Sequence, residues 1–254
     1  MKIQLIRNAT LKLSYAGRTI LIDPYFAPAH SLPSYTGKSP NPLTELPLSV
    51  EDILRDVEFV IVSHLHSDHF DSVAKRLVPK HLPVLCQPGD EPVISGEGFA
   101  DVTPLEDTIV WQGIVITRCQ GSHGLGPVQK KMGSVMGLTL AAPGEPVVYW
   151  AGDTVLYPPV TETMKQAAPD VIVSHSCGAL WDGDLIVMDA AQTIELCRAA
   201  PQATVVAVHM EALDHATVSR ADLRAAAGSA GVGSSQLLVP ADGETIELAI
   251  PRTR

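Results

Sequence analysis

The segment His64-Leu65-His66-Ser67-Asp68-His69 follows directly on an apolar run, Glu58-Phe59-Val60-Ile61-Val62-Ser63. Such a run reads as a strand, and the residues after it carry three imidazoles and a carboxylate. Side chains alternate between the faces of a strand, so His64 and His66 point the same way while Asp68 and His69 fall in the turn beyond. Two pairs of donors result. Imidazole nitrogen and carboxylate oxygen suit zinc, manganese or iron, and two such ions side by side can share and activate one water as hydroxide. With nine histidines in 254 residues, a solvated turn is a poor account of this clustering.

A two-metal centre needs more donors than one loop supplies, so the fold must bring other strand ends to the same place. Three candidates stand at such ends. His123 follows Ile114-Val115-Ile116-Thr117-Arg118-Cys119, in Gly121-Ser122-His123-Gly124, where small neighbours let the backbone come close to a site. Asp153 follows Val147-Val148-Tyr149-Trp150, and His209 closes Thr204-Val205-Val206-Ala207-Val208. Strand-end loops are where scaffolds place chemistry.

This pattern, His-x-His-x-Asp-His, a lone His, an Asp in Gly152-Asp153-Thr154 and a late His, resembles the metallo-β-lactamase superfamily of hydrolases over nearly the whole chain. The resemblance implies an α/β fold, a four-layer αββα sandwich formed by a single domain over residues 1–254, with metals at one sheet edge. It implies that His64, His66 and His123 bind a first metal, that Asp68, His69 and His209 bind a second, and that Asp153 bridges both. The water between the metals would be the nucleophile. Asp23, in Leu21-Ile22-Asp23-Pro24, matches an Asp-Pro behind the site and is expected to orient a ligand histidine. Ala9-Thr10-Leu11, Leu21-Ile22-Asp23-Pro24 and Ala151-Gly152-Asp153-Thr154 further resemble the branch that holds ascorbate-6-phosphate lactonases and N-acylphosphatidylethanolamine phospholipases. That branch often has a histidine where this chain has Asn8.

The implied reaction is attack of a metal-bridged hydroxide on a carbonyl or a phosphorus, with Asp68 orienting the hydroxide and passing its proton to the leaving group. His215 is a candidate proton donor or oxyanion partner, His175 a candidate substrate or supporting residue, and Tyr157 a candidate to polarise a substrate oxygen. Zinc is favoured by affinity, with manganese and iron as alternatives. A small ester or lactone is the expected substrate, with phosphodiester cleavage as the alternative. A metal-bound binding protein would keep the same ligands without turnover. A diiron redox protein of this fold usually has a carboxylate where His66 stands and needs a flavin partner domain.

A formal charge of −10, with 18 Lys and Arg spread along the chain, argues against nucleic acid as a partner. No 18-residue apolar run exists to span a membrane, and 46% hydrophobic residues suffice for a sizeable core. The N-terminal segment lacks the pattern of a secretory signal, and Cys86, Cys119, Cys177 and Cys197 show no Cys-x-x-Cys spacing. A cytoplasmic protein with reduced, mostly buried cysteines is the expectation, Cys177 lying near the site. Ser122 and Ser176 lack a Gly-x-Ser-x-Gly setting, and Gly121 to Gly126 lacks the Lys of a phosphate loop, so that stretch reads as a flexible wall of the site.

Strands at about 2–6, 10–15 and 19–22 open a meander. Residues 24–48 carry six prolines with Tyr25, Phe26 and Tyr35, a long loop read as a cap over the site. Ser49 caps a helix from Val50 to Asp56, and a helix from Phe70 to Leu77 would turn its positive N-terminus to the metals, favouring an anionic substrate. After a mixed stretch at 88–98, strands recur at 100–103, 108–111, 114–119, 134–140 and 146–150. Helices at 160–167, 189–199 and 219–227 then alternate with strands at 171–174 and 204–208, before two closing strands. His30 and His81 read as surface residues. Phe26, Tyr35 and Trp181 are candidates for an exposed patch, and the pattern leaves the oligomeric state open.

Overall fold

Strands buried on both faces show continuous apolar runs rather than alternation, and this chain has several. The structure, a computed structural model, describes residues 1–248. Strands β1 (Lys2–Arg7), β2 (Thr10–Tyr15) and β3 (Arg18–Ile22) form an antiparallel meander in which Leu5 faces Leu11 and Leu13 faces Ile20. Parallel strands β4 (Phe59–Val62), β5 (Val84–Cys86) and β6 (Val102–Pro104) extend it.

The second sheet comprises β7 (Thr108–Trp111), β8 (Ile114–Gln120), β9 (Met136–Ala141), β10 (Val148–Trp150), β11 (Val171–His175), β14 (Thr204–Val208) and β15 (Leu237–Leu238). A short ribbon of β12 (Leu180–Trp181) and β13 (Asp184–Leu185) stands apart, and β16 (Thr245–Glu247) returns to pair with β1. The two seven-stranded sheets have the orders β16-β1-β2-β3-β4-β5-β6 and β15-β14-β11-β10-β9-β8-β7.

Alternation along each strand divides the core into three slabs. Phe59 and Ile61 of β4 point between the sheets, where they join Ile116, Leu138, Trp150, Val173, Val206 and Val208. Val60 and Val62 point outward, under helices α1 (Val50–Leu54), α2 (Ser72–Leu77) and α3 (Glu91–Gly96). Likewise Val205 and Ala207 of β14 face α5 (Pro158–Ala167), α6 (Ala190–Ala199) and α7 (Arg220–Ser229), and Val128 of α4 (Pro127–Met132) joins the same outer cluster. Each large apolar side chain buried this way contributes about 1.5–3 kcal/mol. Helix, sheet, sheet and helix make the four-layer sandwich.

The main strands and long helices follow the sequence reading within a few residues, and the differences have local causes. Ser49 caps α1 as expected, through its side chain and the Asp52 amide. Helix α2 begins at Ser72 rather than Phe70, because the Asp71 carboxylate caps it by accepting from the Ala74 N–H. Asp71 is buried and also accepts from Phe26 N, so a carboxylate of the protein itself already stands at this helix end. The stretch at 88–98 contains α3, and the loop after Gly121 leads into α4. Gly124, at φ +94, would place a Cβ 2.5 Å from Val128 and 3.2 Å from the Leu185 carbonyl, so the chain packs closely at this point. The ribbon β12–β13 turns through Asp182 and Gly183, both at positive φ, an Asp-Gly hairpin signal the sequence reading passed over.

Candidate metal centre

Strands β10, β11 and β14 run parallel as neighbours, with Trp150 opposite Val173 and Val173 opposite Val206. Their carboxyl ends therefore lie side by side and deliver Asp153, His175 and His209. Strand β8 delivers His123 from the same sheet, and β4 of the facing sheet delivers His64 to His69. The His66 carbonyl accepts from His69 N and Phe70 N, which curls this loop back on itself.

The donors converge. Asp153 Oδ2 lies 3.2 Å from His69 Nε2, 3.5 Å from His123 Nε2 and 4.0 Å from His64 Nε2. His209 Nε2 lies 3.1 Å from Asp68 Oδ2, 3.2 Å from His69 Nε2 and 3.5 Å from Asp153 Oδ1. Donors set about 2 Å from one tetrahedral ion are about 3–3.5 Å apart, so these spacings suit a metal shell. Among the described residues two donor groups stand out, His64, His66 and His123 in one, His69, Asp153, His175 and His209 in the other. Asp68 touches the second through His209 and His69. The seven residues expected as ligands are thus brought together, and His175 joins them.

Behind the donors, further contacts turn the rings. His69 Nδ1 donates to Asp23 Oδ2 at 2.7 Å, and His123 Nδ1 to the Ile186 carbonyl at 2.8 Å. Asp23 also accepts from Ser63 N and Ser63 Oγ, which leaves Ser63 Oγ to accept from His64 Nδ1 at 3.0 Å. Each ring so held presents its Nε2 lone pair to the centre. His209 Nδ1 meets Cys177 Sγ at 3.4 Å. Asn8, where the lactonase and phospholipase branch often has histidine, donates to the Asp68 carbonyl at 3.1 Å, and its own carbonyl accepts from His209 N. Asn8, Asp23 and His209 all have positive φ, a backbone state kept where surrounding structure enforces it.

Electrostatics also fit a cation. Burial opposes the charged carboxylates of Asp68 and Asp153, yet neighbouring histidines hold both well below the usual carboxylate range. Burial would likewise lower His69, but Asp153, Asp68 and Asp23 raise it to about 10, and His209 is raised as well, chiefly by Asp153. Without metal, then, the carboxylates hold protons on these rings. His64 goes the other way: burial and the histidines around it push it well below 6.5, and its buried Nε2 has no hydrogen-bond partner. A neutral, unpartnered nitrogen aimed at carboxylates is what a metal ion would complete.

A cleft of about 260 Å³ opens on this cluster. Its walls include Tyr35, Met132, Trp181 and Ile186 beside His66, Asp68, His123, Asp153 and His215. Tyr35 comes from the proline-rich loop, which does reach the site: its hydroxyl is 2.7 Å from Ser67 Oγ and 3.5 Å from Asp68 Oδ1, and its ring meets His215 edge-on at 4.9 Å. Of the candidate patch residues, Phe26 is core instead, and Tyr35 and Trp181 form walls. Tyr157 is not at the cleft. It precedes α5, where its ring packs against the outer core and borders a separate hollow with Arg118 and Gln129. His30 and His81 are exposed. Met132 and Ile186 were missed, because an apolar side chain outside the ligand motifs carries no local signal that it will face the cleft.

Fold and site together define a metal-dependent hydrolase of the metallo-β-lactamase fold. A family described as the Beta-lactamase superfamily domain matches residues 18–210. The UPF0173 protein YddR of Bacillus subtilis (strain 168) is 38% identical over 252 residues, 96% of this chain and 99% of its own. The crystal structure of a possible metal-dependent hydrolase from Veillonella parvula DSM 2008 superposes with a TM-score of 0.94 at 35% identity, over 98% of this chain and 99% of that one. An isothiocyanate hydrolase from Delia radicum gut bacteria gives 0.92 at 34% identity, over 98% and 100%. This chain belongs to the β-lactamase superfamily and, within it, to the UPF0173 family of metal-dependent hydrolases.

Proposed function

We propose that this chain hydrolyses a small, uncharged electrophile with an apolar substituent, an isothiocyanate in the first instance. The observation that carries this reading is the cleft, whose volume of about 260 Å³ and walls of Met132, Trp181 and Ile186 suit a small apolar group held against the donor cluster. The likeness to an isothiocyanate hydrolase over the full length of both chains supports it. Hydrolysis of R–N=C=S by one water yields R–NH₂ and carbonyl sulfide, and the carbon attacked is as small and neutral as that of an ester or lactone, the substrate expected from the sequence. A phosphodiester brings a negative charge, and among the described residues lining the cleft only Lys131 offers a basic side chain, exposed and paired with Asp182 at 2.8 Å.

In this reading His64, His66 and His123 would hold one ion and Asp68, His69 and His209 a second, with Asp153 between the two sets. Bound there, divalent ions would supply Lewis acidity and a water acidic enough to ionise near neutral pH. The protein's own groups do the rest. Asp68, beside the Tyr35 hydroxyl and His209, is placed to take the proton that the attacking water gives up and pass it to the departing nitrogen or oxygen. Tyr35 and His215 flank the approach and orient the substrate, while the apolar walls exclude bulk water.

The test is metal content per chain, followed by turnover of metal-reloaded protein on an aryl isothiocyanate, a lactone and a bis-aryl phosphodiester. Amine release from the isothiocyanate, with nearly all turnover lost in Asp153→Ala, is the expected outcome. Phosphodiester cleavage without amine release, or full turnover in Asp153→Ala, would overturn the reading.

A further inference from the structure

We infer that His175 is a positioning residue that decides which oxygen of Asp153 faces both metal sites; the inference rests on the two-metal reading above. A bridging carboxylate has two equivalent oxygens and can turn about its Cβ–Cγ bond, so its mode of bridging must be set from outside. Here the oxygens are not equivalent. Oδ1 accepts from His175 Nδ1 at 2.5 Å and, of the expected ligands, lies near His209 Nε2 of one set, at 3.5 Å. Oδ2 faces His69 Nε2 from one donor set and His123 and His64 Nε2 from the other, at 3.2, 3.5 and 4.0 Å. A carboxylate oxygen only accepts, so the hydrogen between Oδ1 and Nδ1 belongs to the imidazole, and Nδ1 has no lone pair to offer an ion.

The ring itself is held firmly. His175 is the last residue of β11, one strand over from β10 and in parallel register with it, which sets the ring beside the loop carrying Asp153. It is fully buried, stacks on His69 at 5.8 Å, tilts against His209 at 4.9 Å and meets the edge of Trp150 at 5.0 Å. Its Nε2 has no hydrogen-bond partner. Holding Asp153 is therefore the ring's polar contact in this structure, and it leaves Oδ2 free to face both donor sets.

Asparagine and glutamine variants separate the roles. The amide nitrogen of His175→Asn can stand where Nδ1 stands, whereas that of His175→Gln is displaced by one bond. Wild type and both variants would be stripped, reloaded with Zn²⁺, and measured for ions per chain and for affinity by chelator competition, with near-ultraviolet circular dichroism as a check on folding. The expected result is two ions at unchanged affinity in His175→Asn and an about 10–100-fold loss for the weaker ion in His175→Gln. Unchanged affinity in His175→Gln would overturn the inference. So would a His175→Asn variant that folds but loses an ion, since that would make the ring a ligand. If His175→Gln fails to fold, His175→Ala takes its place, with the same loss expected and unchanged affinity again overturning the inference. Fewer than two ions in the wild type would instead refute the two-metal reading, and the inference with it.

Discussion

At the residue scale the site depends on backbone positions as much as on donors. Gly152 sits at φ +70, where a Cβ would lie 2.9 Å from the Met136 carbonyl oxygen and 2.9 Å from the Trp150 ring. Gly152→Ala is expected to cost about 1–3 kcal/mol and to displace Asp153, seen as a lower unfolding midpoint together with reduced metal content. The charge state of the cluster gives a second prediction. His69 is raised to about 10 and His209 is raised too, so near neutral pH a metal must expel their protons. Affinity should therefore rise with pH up to about 10, with proton release on binding; a titration calorimetry series in buffers of different ionisation enthalpy checks it, and pH-independent binding would contradict it. Residues named from the motif alone reached the site, whereas Tyr157 did not. Its spacing from Asp153 put it near in sequence, but the turn into α5 carries it to the outer face of the sheet.

At the scale of elements, the proline-rich loop is pinned by one carboxylate. Asp214 accepts from Ser34 Oγ, Tyr35 N, Thr36 N, Thr36 Oγ1 and Asn41 Nδ2. From the other side, the buried Arg7 guanidinium donates to the carbonyls of Tyr25, Ala27 and Thr44. Burial disfavours the Asp214 charge, but the hydroxyls of Ser34 and Thr36 and the other donors outweigh it and hold its carboxyl well below the usual range. A group whose pKa is lowered by folding stabilises above its unfolded value, about 3.9, and loses that contribution as pH falls through the folded value. The loop should stay latched at neutral pH and loosen only in strong acid. Pepsin cleavage within residues 32–43 that sets in only below about pH 4 in the wild type, and persists to higher pH in Asp214→Asn, is the expected pattern. Because the latch positions Tyr35, Asp214→Asn should also lower kcat/KM about 10–100-fold. That the loop belongs with the site was legible from its length and prolines, and Tyr35 does line the cleft; its latch was not legible, since Asp214 lies far along the chain.

At the scale of the molecule, the site joins two sheets that share one slab of core, so a ligand binding there ties both halves of the sandwich. Metal removal should cost the folded state more than local order. An ion present at 100 times its dissociation constant adds about 2.7 kcal/mol, so chelation is expected to lower the unfolding midpoint by at least about 5 °C, read by differential scanning fluorimetry. No shift on chelation would mean that the cluster does not bind metal in the folded state. The sequence by itself determined the strands and the donor loops, because these rest on local apolar runs and on motifs only a few residues long, and the sandwich followed from the resemblance those motifs carry. Tertiary structure alone decided which walls face the donor cluster, how His175 meets Asp153 and what latches the loop. Those contacts join residues far apart in the chain, and neither local spacing nor propensity contains the distance between them.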